Sequence, residues 1–149
     1  MSELQSLRDQ VSDVVSGMGY SVVDVNQSVV KGRTHVHLVV YRREGVNVDD
    51  CAQIHKTIAP RLELLLDDRD VALQVASPGI DRTFKSNHEF SVFEDRGVKV
   101  LRKSSMKWTA GIVEQSDDSG VTLVSEGASV TIPFSDVQKA KLDYTQEVR

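Results

Sequence analysis

The hydrophobic pattern of this chain changes period once, near residue 83, and that change restricts the fold more than any other feature. Before it, helical and strand spacings alternate. Leu4, Leu7, Val11, Val14, Val15 and Met18 fall three or four apart, along one face of a helix. Ser2 with Gln5 matches a capping box, and Gly17 or Gly19 supplies a left-handed stop. Residues 20–30 are valine-rich and residues 34–41 alternate, with Val36, Leu38 and Val40 on one face. Lys31-Gly32-Arg33 between them predicts a hairpin. Asp49 and Asp50 are the expected N-caps of a second helix with Ile54, Ile58, Leu62 and Leu65 on its apolar face. Pro60 lies inside that pattern, and its clash with the Lys56 carbonyl predicts a kink or a break. Residues 71–76 read as a third strand. Helix, two strands, helix, strand makes a two-layer α+β unit.

Beyond residue 83 no helical period of any length survives. Residues 98–101, 108–113, 121–124 and 130–134 are short strands, punctuated by Asp117-Asp118-Ser119-Gly120 and Glu126-Gly127 as turns. Residues 137–142 supply a fifth. Short strands with tight turns predict a small closed barrel, which removes exposed edges. The expected fold is therefore α+β with two domains: an α-β-β-α-β domain over residues 1–83 and a small all-β barrel over residues 84–149.

Composition narrows the class. Hydrophobic residues at 40% and charged residues at 27% are ordinary for a globular protein, against a disordered or fibrous chain. The longest run without Asp, Glu, Lys or Arg is ten residues, where a membrane span needs about 18 or more apolar ones. The start, Met-Ser-Glu-Leu-Gln, lacks the basic and apolar segments of a secretory signal, and a lone Cys51 builds no disulfide framework. A cytoplasmic monomer without membrane attachment is expected.

Eighteen basic against 22 acidic residues give a net charge of −4. Nucleic acid is repelled by such a field at long range, because phosphate neutralisation drives that kind of binding. The partner is therefore a basic protein, or an RNA met by a local patch. One such patch is legible: Arg96, Lys99, Arg102, Lys103 and Lys107 fall together with no acid among them, and Trp108 follows. A basic loop beside an aromatic residue can hold RNA backbone and stack a base. The alternative is a solvated hairpin with Trp108 in the barrel core.

Catalysis finds little support. His35 and His37 share a strand face, but zinc needs three or four ligands and no second cluster joins them. Cys51 and His55 lie one helical turn apart without an orienting third group. Gly17-Met18-Gly19 ends a helix instead of opening one, the wrong setting for a phosphate loop. Asp67, Asp68 and Asp70 read as a solvated turn. No catalytic residue, metal, cofactor or small-molecule substrate is expected.

One segment goes beyond what bulk physics requires. Ser77-Pro78-Gly79-Ile80-Asp81-Arg82 resembles the Ser-Pro-Gly-(Leu or Ile)-Asp-Arg signature of the RimP family of bacterial ribosome maturation factors. Gly19-Tyr20, Val23-Asp24-Val25, Asp49-Asp50-Cys51, Gly97-Val98-Lys99-Val100, Thr109-Ala110-Gly111, Ile132-Pro133-Phe134 and Ala140-Lys141-Leu142 are similar to family segments in the same order. Thr83-Phe84 departs from the usual Pro-Leu after the signature, and Ala76 from a common serine. The resemblance implies an α+β domain followed by an SH3-like, Sm-like barrel. It implies a non-enzymatic assembly factor that binds the free small ribosomal subunit, chiefly through a basic ribosomal protein. The alternative is an RNA-binding module whose barrel contacts rRNA through the basic cluster. In the signature, proline is expected to preset one φ and Gly79 to supply a positive one. Asp81 and Arg82 then either hold the domain junction together or meet the partner.

Overall fold

A computed structural model describes residues 3–67 and 71–147. The expected capping box of Ser2 with the Gln5 side chain, the Leu4 side chain, Asp68 and Asp70 lie outside the described residues. The chain divides into two compact units, Met1–Pro78 and Gly79–Arg149.

In the first unit, α1 (Glu3–Gly17) buries Leu7, Val11 and Val15. Gly19, at φ 96°, supplies the left-handed stop behind it. β1 (Ser21–Val30) and β2 (Arg33–Tyr41) pair antiparallel from Val30↔Arg33 outward. Their two-residue loop, Lys31-Gly32, has positive φ at both positions, the geometry whose twist matches that of the strands. After α2 (Val48–Leu66), β3 (Val71–Ala76) returns parallel to β2, giving the order β1-β2-β3. Ile54, Ile58 and Leu62 of α2 close over Val25, Val36, Leu38 and Val40 of the sheet.

One detail of α2 differs from expectation and a second narrows it. The N-cap is Asn47, not Asp49 or Asp50. Asn47 Oδ1 accepts the Asp50 N–H at 2.8 Å, and Asp50 Oδ2 accepts the Asn47 N–H at 2.9 Å, a reciprocal box. The helix also runs through Pro60 without a break. Pro60 is exposed, so the carbonyl it leaves unpaired faces water, while the buried residues on either side of it anchor the opposite face.

The second unit opens with a short helix, α3 (Glu89–Val92), which has no period long enough to be read from sequence. Five strands follow: β4 (Gly97–Arg102), β5 (Trp108–Ser116), β6 (Gly120–Ser125), β7 (Ala128–Pro133) and β8 (Val137–Leu142). They form one antiparallel sheet in the order β7-β6-β5-β4-β8. Closure by hydrogen bonding is not found: among the described residues no ladder joins β7 to β8, and a 3₁₀ turn, Phe134–Asp136, links them instead. The outer edge of β8 is covered by the segment before α3. Phe84 N–H donates to Ala140 O at 2.8 Å, Leu142 N–H donates to Arg82 O at 2.9 Å, and Thr83 bridges Lys141. Residues 82–84 are thereby built into the second unit. The four phenylalanines gather beside them, with Phe84 against Phe90 and Phe93, and Phe90 stacked on Phe134.

Candidate functional site

The signature crosses the boundary between the units, and its residues separate by role. Arg82 N–H donates to Gly79 O at 3.2 Å, so the turn spans Gly79 to Arg82 with glycine as its first residue. That position needs no positive φ, and Gly79 has none, contrary to expectation. A Cβ added there would only touch the Asp81 carboxylate at 3.7 Å, an ordinary contact. Ser77, Ile80 and Asp81 are exposed, Ile80 to 72%. Arg82 turns inward instead. Its Nε donates to Glu89 Oε1 at 2.7 Å, with the two side chains 11% and 1% exposed. Glu89 Oε2 accepts the Lys85 and Ser86 N–H groups at 2.7 and 3.3 Å. A buried carboxylate thus fixes the arginine and the entry to α3, and both partners belong to one unit. Glu89 was not legible in the sequence, since nothing in Asn87-His88-Glu89-Phe90 marks a buried acid.

The basic cluster does not form a single cationic surface. Arg96 pairs with Glu147 (Nε to Oε1, 3.0 Å), and Arg102 donates to Asp136 Oδ2 at 2.7 Å. Asp136 also accepts the Ser104 N–H at 2.7 Å and the Ser104 hydroxyl at 2.9 Å, organising the β4–β5 hairpin. The hydrogen bond from Arg102, with those from Ser104, holds the Asp136 carboxyl below the usual carboxylate range. Lys103 and Lys107 are exposed on that hairpin. Lys99 Nζ lies 4.9 Å from the centroid of the Trp108 ring, within cation–π reach. Trp108 is 44% exposed, so it is not a core residue. Register brings in two residues that the sequence reading missed. Lys141 stands opposite Lys99, and Lys139 opposite Leu101, whose partner on β5 is Trp108. Their spacing of two in a short strand was the available signal.

A third cluster also escaped sequence reading. The Tyr20 hydroxyl donates to Asp50 Oδ1 at 2.5 Å, while Arg42 donates to the Tyr20 oxygen at 3.1 Å and to Asp50 Oδ2 at 3.2 Å. The guanidinium also lies over the Tyr20 ring, 4.6 Å from its centroid. The Asn47 N–H and the Tyr20 hydroxyl hold the Asp50 carboxyl below its usual range, and the same hydrogen bond raises the tyrosine. This arrangement ties the start of β1 to the end of β2 and to the first turn of α2.

The remaining candidates are dispersed. His35 and His37 are half-buried on a polar sheet face, opposite Ser28 and Asn26. Among the described residues, no group of three His, Cys, Asp or Glu side chains is arranged to hold a metal. Burial, with the nearby Asp50 charge, pushes the Cys51 thiol up, away from the thiolate a nucleophile requires. Asp67 is a left-handed helix cap. No described helix is long and apolar enough to cross a membrane.

An α-β-β-α-β unit, a Ser-Pro-Gly-Ile-Asp-Arg segment that leads out of it, and a five-stranded antiparallel sheet define a two-unit α+β class. Residues 10–81 match the RimP N-terminal domain. Ribosome maturation factor RimP of Borrelia recurrentis (strain A1) is 29% identical over 142 residues, 95% of this chain and 97% of the relative. The protein of the same name from Borrelia turicatae (strain 91E135) is 27% identical over 132 residues, 89% of this chain and 90% of the relative. The chain is thus similar to the RimP N-terminal domain over residues 10–81 and to ribosome maturation factor RimP proteins over nearly its whole length.

Proposed function

We propose that this protein is a non-enzymatic ribosome maturation factor that binds the free small ribosomal subunit, chiefly through one of its basic proteins. The likeness to ribosome maturation factor RimP over 95% of the chain carries the reading. The strand order supports an Sm-like second domain: β4 to β7 follow as successive hairpins, and β8 returns to pair with β4. Charge supports a basic protein partner, because the chain is acidic overall, at −4. Complementary charge raises encounter rate and fixes orientation more than it sets affinity. Within the signature, Asp81 is the residue offered to the partner, since it is exposed while Arg82 is committed to Glu89.

The test is capture of purified small-subunit proteins on the immobilised chain, with Asp81→Lys alongside. A salt-sensitive complex with a basic small-subunit protein, weakened by Asp81→Lys, is expected. Capture of none of these proteins would overturn the protein-mediated docking.

A further inference from the structure

We propose that the outward face of β4, β5 and β8 is a platform for single-stranded RNA, with a base stacked on Trp108 and phosphates on Lys99, Lys139 and Lys141. Register fixes the face. Residues directly opposite across a ladder project to the same side of a sheet. Lys99 faces Lys141 on one side and Ala110 on the other, and Leu101 faces Lys139 and Trp108. The alternate residues Val98, Val100, Ala140 and Leu142 point the other way and are buried. Six neighbouring positions on the outward side therefore hold three lysines, one tryptophan, a leucine and an alanine, and no carboxylate. Lys103 and Lys107 extend the positive charge along the hairpin, while Asp136 beside them is taken up by Arg102 and Ser104.

The chemistry favours RNA over protein. Lysine is depleted at protein interfaces, where desolvating an ammonium is costly. Lysines around a half-exposed indole are what a single strand requires, because every base has a π-face and every linkage a charge. The Lys99 ammonium lies over one face of the ring, where an incoming base would displace it toward a phosphate, and the 44% exposure of Trp108 leaves indole surface open to solvent. The acidic remainder of the chain makes the contact local, so it adds to docking and does not replace it. This proposal extends the small-subunit reading, and a naked oligonucleotide tests it separately.

Trp108 is the single tryptophan of the sequence, so its fluorescence reports on the platform directly. The full-length protein is titrated at low salt with an unstructured oligoadenylate of twelve nucleotides. Saturable quenching is expected. By anisotropy of labelled RNA, Trp108→Ala should weaken binding by about fivefold or more, and Trp108→Phe should restore part of it. Lys139→Ala with Lys141→Ala should lower the slope of log affinity against log salt by about 1.4, at 0.7 per phosphate contact on a single strand. Arg96→Ala removes a cation already paired with Glu147 and should change neither quantity by much. Circular dichroism checks that each variant is folded, and the lysine variants test the face if Trp108→Ala is not. No quenching, or affinity and slope unchanged in the folded variants, overturns the platform. If the protein still binds small subunits in that case, the assembly-factor reading stands without it. If Trp108→Ala weakens subunit binding while the oligonucleotide is ignored, the face is a protein contact and the RNA assignment is wrong.

Discussion

Single residues in this protein act mainly by deciding which charges are used internally. Glu89 is the clearest case: a carboxylate 1% exposed that accepts from Arg82, Lys85 and Ser86. Glu89→Ala leaves a guanidinium nearly buried without its carboxylate, and should cost about 3–5 kcal/mol in urea unfolding. Asp81→Ala touches no such network and should change stability by less than about 0.5 kcal/mol. Equal losses in the two variants would contradict the division of roles within the signature. Acid stability draws on the depressed carboxyls, Asp50 and Asp136 among them with Asp117 and Asp143. Asp50 and Asp136 have folded-state values below the ordinary range, so each contributes stability that is present above its unfolded value, about 3.9. That contribution is lost as pH falls through the lower folded values. Melting temperature should therefore drop below about pH 4, and Asp50→Asn with Asp136→Asn should make the drop shallower. An unchanged acid limb would show that these carboxyls are not linked to folding.

Among the elements, regular ones were legible and irregular ones were not. Strand positions followed from valine alternation, and α2 from Ile54, Ile58 and Leu62, because burial on one face leaves a period in the sequence. The N-cap was misread because Asn47, Asp49 and Asp50 are all good caps, and only the backbone decides which side chain meets which N–H. α3 was invisible because four residues hold barely one turn. Pro60 was expected to kink or break α2, and it does not break it, because burial on both sides outweighs one lost hydrogen bond. Pro60→Ala should therefore stabilise the protein by about 1–3 kcal/mol, measured by chemical denaturation. Destabilisation would mean that proline is required in the native helix. Gly97 is the opposite case. A Cβ there would lie 2.3 Å from the Asp143 carbonyl oxygen, so Gly97→Ala forces β4 away from the turn after β8. A loss of about 1–3 kcal/mol is expected, with the same measurement as its check.

At the scale of the whole molecule, the hydrophobic period changes near residue 83, while the compact units are Met1–Pro78 and Gly79–Arg149. Residues 82–84 carry no period of their own, and their place is set by pairing with β8, which a sequence does not display. The candidate site was legible to a similar degree. The signature and Trp108 stood out by residue type, whereas Lys139 and Lys141 join Trp108 only through pairing of β8 with β4. The likeness to ribosome maturation factor RimP and the net charge support the proposed role on the small subunit, and the most direct measurement is co-sedimentation of the full-length chain with purified ribosomal particles. Near-stoichiometric association with free small subunits, little with large subunits or joined ribosomes, and weakening by Asp81→Lys is the expected result. Association with none of these particles, or equal association with all of them, would contradict the proposed role.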